Sequence, residues 1–228
     1  MYPAIRQLTI NILKSWTKYF TILSGLYISL ALLAPLLIIA NVQQPAHKLY
    51  RAYSIFCHQN AYKSWYLSTS SSPLGLNISS SFNILNEIPF GIILDSSKFI
   101  GSSELGWKSA LCHRCTAIYL SVFTASLLFH ILKVRGLHIP ILHPHIYFAI
   151  GLLPIAIHTI IVPQPESSFI RSLVTDSHMI RTITGGLFGI TSIWIAFPEI
   201  DLYSQKHVSR YSKSRYSSQS ANHYDIQH

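Results

Sequence analysis

Every thiol of this 228-residue chain sits in one of two short stretches, Phe56–Asn60 (FCHQN) and Leu111–Tyr119 (LCHRCTAIY). Cys112 and Cys115 are spaced i, i+3, which on a helix puts both sulfurs on one face, about one turn apart. Two thiolates so placed can share a tetrahedral ion, provided a second element completes the shell. Cys57 and His58 are the natural second element, with His113 as the alternative histidine. A shell of three cysteines and one histidine is of the kind zinc takes in structural sites, so zinc is the expected ion. A helix N-terminus at Cys112 would favour thiolate over thiol there.

Two other chemistries fit the same residues. A C-x-x-C can be a disulfide or redox pair, with Cys57 as resolving thiol. A buried cysteine can also be a small hydrophobe and nothing more. An odd count leaves one thiol over in a purely disulfide account. Arg114 and Lys63 fall beside the cysteines in sequence and could stabilise thiolates or receive an anionic partner.

A second set of polar residues lies on apolar segments. Arg181 and His158 are a candidate polar site in the membrane, though an edge arginine also snorkels and a core histidine also bonds to backbone. Gly185 and Gly189 are spaced for close helix contact, within the chain or with other membrane subunits. His143 and His145 flank Pro144 and read as exposed loop residues. Heme ligation by His130 or His158 stays open as an alternative, but Cys115 is followed by Thr116, so the covalent C-x-x-C-H attachment is absent. Asn77-Ile78-Ser79 fits a glycosylation acceptor in form. There is no Ser-His-Asp set, phosphate-cradling loop or HExxH sequence, so no catalytic residue is assigned and enzymatic activity is not the leading expectation.

The elements that must carry these residues are membrane helices. Half of the residues are hydrophobic and only 11% are charged, against about a quarter in soluble domains. Mean hydropathy is +0.34. Four runs approach the ~20 residues a bilayer crossing takes: 20–40, 111–132, 141–162 and 180–197. Helices bond every backbone group internally, and the alternation of barrel strands is absent. The expected fold is all-α: a polytopic helical membrane protein with about four spans. Pro35 and Pro154 should kink or interrupt the first and third. A retained first span is expected, not a cleaved signal.

Between the first two spans, Ala46–Leu67 has apolar residues at helical spacing and reads as an amphipathic helix at the interface. The Ser-rich stretch 68–81 reads as a loop, and 84–94 as a short re-entrant or packed segment. Residues 1–19 form a basic N-terminus, and residues 201–228 a disordered basic tail. The net charge of +9 sits mainly beside the spans and in the tail, which points to lipid head groups and not to nucleic acid. Arg6, Lys14, Lys18, Lys133, Arg135, Lys206, Arg210, Lys213 and Arg215 share one side. The positive-inside rule then puts both termini in the cytoplasm and the cysteine loop, 41–110, opposite.

The pattern resembles the integral membrane proteins classed as domain of unknown function 2085. That family reads C-H-Q, three residues, R-S-F, then C-x-R-C-T-G-I-Y, and later R-x-x-T-G-x-x-x-G. This chain has Cys57-His58-Gln59 followed by Lys63-Ser64-Trp65, then Cys112-His113-Arg114-Cys115-Thr116-Ala117-Ile118-Tyr119, with alanine at the glycine position. It has Arg181-Thr182-Ile183-Thr184-Gly185 through Gly189 on the fourth run. Where the family carries an acid after the third-span proline, this chain has His158 beyond Pro154. The resemblance implies a multi-pass helical protein, with metal binding as an expectation and no assigned activity. Together these observations lead to a structural or accessory membrane subunit with a zinc clip. The alternatives are a thiol-disulfide oxidoreductase and a small transporter.

Overall fold

The computed structural model describes residues 2–69, 76–80, 98–103, 106–137, 139–161 and 177–224. In chain order it has α1 (Tyr2–Ile39), α2 (Gln43–Tyr53), a 3-10 turn (Ala61–Lys63), β1 (Ser64–Thr69), β2 (Leu76–Ser80), β3 (Gly101–Ser102) and β4 (Gly106–Cys112). Three further helices follow: α3 (His113–Val134), α4 (Pro144–Ile161) and α5 (His178–Tyr224). Four helices hold stretches long and apolar enough to cross a bilayer: Thr9–Ile39, His113–Val134, Pro144–Ile161 and His178–Arg210. The chain is therefore a mostly helical, polytopic membrane protein. Leu23 and Ile160 illustrate the outward apolar surface, each 67% exposed in the absence of lipid.

Small residues set how closely the spans pack. Gly25 of α1 lies against the ring of Phe123 on α3. The rings of Tyr27 and Tyr119 are 4.6 Å apart, and Thr17 Oγ1 lies 2.9 Å from His130 Nδ1. Residue numbers rise on α1 as they fall on α3, so the two helices are antiparallel. Gly185 and Gly189 bring α5 onto α3: a Cβ at Gly185 would lie 2.7 Å from the carbonyl oxygen of Arg114, and one at Gly189 2.7 Å from that of Ile118. Of the two contacts expected for this glycine face, the one within the chain is made, with α3. At the far end, Trp16, Phe20 and Phe129 all meet Phe197 edge-on, at 4.7, 5.0 and 5.2 Å.

Proline behaves differently in two spans. α1 carries Pro35, yet its non-helical dihedrals fall at Ser15 (φ −112°, ψ 15°). In α4, Pro154 has no N–H for the preceding turn, and that turn widens into a π-helix over Tyr147–Leu152. The wide turn buries Gly151 against Thr191 of α5.

The segment between α1 and α3 departs most from the expected one. The interfacial helix ends at Tyr53, where its periodic residues Ala46, Tyr50 and Tyr53 are buried. The rest of Ala46–Leu67 becomes a turn, then β1. The β-favouring run Trp65-Tyr66-Leu67 pairs antiparallel with β4, Tyr66 opposite Lys108 and Leu67 opposite Trp107. The full sheet has the order β2-β1-β4-β3, so both ends of the expected Ser-rich loop are strands. Segment 84–94 lies outside the described residues.

The tail also differs. α5 continues to Tyr224, past Asp201, where disorder was expected to begin. No Gly or Pro follows Pro198 to break it, and Asp201 and Ser204 are buried on the bundle. Asp201 forms an ion pair with Lys133 at the end of α3. It also accepts from Trp16 Nε1 at 3.3 Å and Gln205 Nε2 at 2.8 Å.

Candidate metal centre

Cys57 is placed by the way α2 ends. Its N–H donates to the carbonyl of Tyr53 at 3.0 Å, continuing a helical turn that then breaks. Gln59 takes a left-handed conformation (φ 48°), which costs a non-glycine side chain some energy and so needs support. Support comes from two sides. Gln59 Nε2 donates to Tyr50 O at 2.7 Å, and the Lys108 ammonium donates to Gln59 O at 2.6 Å. With the chain bent there, Gln59 N–H points back at Cys57 Sγ, at 3.5 Å.

Cys112 and Cys115 are placed by a direct junction of strand and helix. Cys112 ends β4 opposite Ser64 and, still extended (φ −71°, ψ 166°), begins α3. Its N–H donates to Cys57 Sγ at 3.4 Å. The three sulfurs all lie within 4.8 Å of one another. Bonds of ~2.3 Å in a tetrahedral thiolate site put sulfurs about 3.8 Å apart, so small movements would let the trio close on an ion.

The surroundings favour bound anionic sulfur. Two backbone N–H groups aim at Cys57 Sγ, the donor type that stabilises thiolates. Hydrogen bonds from Cys115 and then Cys57 hold the Cys112 thiol well below the usual range. The hydrogen bond to Cys112 is also the first cause pushing Cys57 up. The Cys112 sulfur thus readily carries charge, and thiolate is the form in which cysteine ligates a soft divalent ion. Lys108 sits fully buried beneath the site. Burial pushes its ammonium down to about 8, partly offset by the charge of Cys57.

The histidines part company. His58 is exposed on the wall of the cleft that the sulfurs line. His113 is fully buried, edge-on to Trp65 at 4.5 Å and 5.9 Å from the ring of His178. Among the described residues neither joins the group of three sulfurs. Of the expected three cysteines and a histidine, the three sulfurs form the group, and His58 lines the cleft beside them.

The structure also merges two expected sites into one. Arg114 reaches from α3 to α4, donating to Thr159 Oγ1 at 2.5 Å and lying 2.6 Å from His158 Nδ1. Arg181 is 6% exposed and lines the same cleft of about 520 Å³ as Arg114, Lys63 and the three cysteines. His158 thus orients an arginine of the cysteine cleft, and Arg181 belongs to that cleft too. The heme alternative gains no pairing: His130 bonds to Thr17 and His158 to Arg114, at opposite ends of α3. His143 and His145 stack on each other at 4.8 Å.

Lys108 and Gln59 were missed from sequence. The signals were a lone lysine in the apolar run GWKSALC and the glutamine of the C-H-Q run. No curated protein and no solved structure matches the chain. Residues 103–195, from the approach to Cys112 through most of the fourth span, match the family model described as predicted membrane protein (DUF2085), the family that the cysteine patterns resemble.

Proposed function

We propose that Cys57, Cys112 and Cys115 hold a zinc-like ion that clips the α2–β1 turn to the head of α3, in a membrane protein acting as a structural or accessory subunit. The observation that carries the reading is the convergence of the three sulfurs within 4.8 Å, with backbone N–H donors on Cys57 Sγ. The ion closes a loop of more than fifty residues between Cys57 and Cys112, and fixing so long a loop removes conformational freedom from the unfolded chain. Metal analysis of the purified, reduced protein tests it: one ion per chain is expected, lost in Cys112→Ser. A folded, reduced sample with no stoichiometric metal would refute the clip.

A second reading has its own support in the low Cys112 thiol. With Cys115 as its partner and Cys57 as resolving thiol, the trio would act as a thiol-disulfide oxidoreductase. Alkylation under redox titration separates the two. A metal clip protects all three thiols until a chelator is added, whereas a redox pair reacts according to the potential alone. The orientation with both termini in the cytoplasm belongs to the same proposal and rests on the basic residues flanking the spans.

A further inference from the structure

We infer that the turn Ser54–Phe56 is seated in the acyl region of the bilayer leaflet on the cysteine side, which places the neighbouring Cys57 at membrane depth. Ile55 is 78% and Phe56 63% exposed. One exposed apolar residue is ordinary, but two large ones side by side at the tip of a turn mark a contact with something apolar. The chain changes character on its way to that tip. Gln43, Gln44, His47, Lys48 and Arg51 are exposed along α2, and all are polar. Ile55 and Phe56 come just beyond the end of that helix at Tyr53. Water around one end of the element and hydrocarbon at the other account for this order.

Two spans give the depth of the tip. Tyr53 donates its hydroxyl to the carbonyl of Tyr27 on α1, and the two rings lie 4.9 Å apart. The Phe56 ring is 6.3 Å from the same Tyr27, whose ring meets Tyr119 of α3 at 4.6 Å. The turn is thus level with Tyr27 and Tyr119. Tyr119 lies about 9 Å inside the apolar span that begins at His113, at a rise of ~1.5 Å per residue. On α1 the exposed apolar surface continues past Tyr27 through Leu32, Leu33 and Leu36, and Leu36 is about 13 Å further along the helix. No Asp, Glu, Lys or Arg lies between Lys18 and Lys48. Ile55 and Phe56 therefore sit below the outer edge of the lipid face of α1, at the level where acyl chains run. The Cys57 N–H donates to the carbonyl of Tyr53 at 3.0 Å, so the tie that holds the tip at Tyr27 also sets the depth of the first thiol.

The test uses the full chain reconstituted in phosphatidylcholine vesicles. A tryptophan is placed at the tip by Phe56→Trp or Ile55→Trp, and at the far end of α2 by Gln44→Trp. Fluorescence of the four native tryptophans, read from wild type, is subtracted. Phosphatidylcholine brominated on its acyl chains should quench either tip variant about twofold or more over Gln44→Trp, and acrylamide in the water should quench in the reverse order. Emission from the tip should also lie at shorter wavelength than that from Gln44→Trp. Should Phe56→Trp fail to fold, Ile55→Trp, at the more exposed of the two positions, gives the same measurement. Acrylamide quenching of the tip equal to that of Gln44→Trp would put the turn in water and overturn the inference. Protection of the tip from both quenchers would overturn it as well, since protein and not lipid would then cover it.

Discussion

The buried ammonium of Lys108 donates to the backbone carbonyl of Gln59 at 2.6 Å, tying β4 to the left-handed residue that turns its own N–H toward Cys57. Lys108→Met leaves that carbonyl without its donor, a loss of about 1–3 kcal/mol for a buried polar group. A lower melting temperature is expected, together with faster alkylation of Cys57. Unchanged thiol reactivity in a folded Lys108→Met protein would show that the lysine does not position the turn.

The same lysine gives a pH signature. Burial holds its folded value near 8, below that of the unfolded chain, so above about pH 8 the unfolded state binds more protons. Stability of wild type relative to Lys108→Met should therefore rise with pH from about 8 toward the ordinary lysine range, and be flat below. Parallel melting curves for the two proteins across that window would contradict the assignment.

Gly185 is where α5 comes closest to the first turn of α3. Gly185→Leu forces a side chain against the Arg114 carbonyl and should cost about 1–3 kcal/mol, as overpacking does. Because Arg181 is one turn away on the same helix, metal retention should fall along with thermal stability. Gly186→Leu is the control: nothing lies within 4 Å of a Cβ there, and little change is expected.

At the other end, Asp201 gathers Lys133, Trp16 and Gln205. Asp201→Leu strands a partly buried ammonium and should destabilise by about 1–3 kcal/mol. Metal content should stay at the wild-type level, since the cysteine cleft is a bilayer away. Loss of metal in this variant would mean the two ends are not independent.

The four spans were legible in the sequence because a bilayer sets a length and a polarity that few other environments demand. The cysteine pair was legible too, since i, i+3 spacing at the head of a helix sets two sulfurs about a turn apart, whereas the strand that ends at Cys112 and the bend that brings up Cys57 were not. The sheet was not. Trp65-Tyr66-Leu67 is β-favouring, but it continues the helical spacing that begins at Ala46, and only pairing with β4 decides between the two. His58 looked like a ligand because it adjoins Cys57, but the left-handed bend at Gln59 is a tertiary feature and leaves the imidazole on the cleft wall. Asp201 looked like the start of a tail because its partner Lys133 lies on another helix. His158 and Arg181 were paired by position, whereas the residue joining them to one site is Arg114.

The cleft draws its walls from the turn after α2, the head of α3 and the first turn of α5. Chains emerge from the ribosome N-terminus first, so the thiols are made a whole helical hairpin before Arg181. The core around Cys57 is drawn from α1, α2 and β4, all of them made before α5, so the last span adds the Arg181 wall to sulfurs whose own packing precedes it.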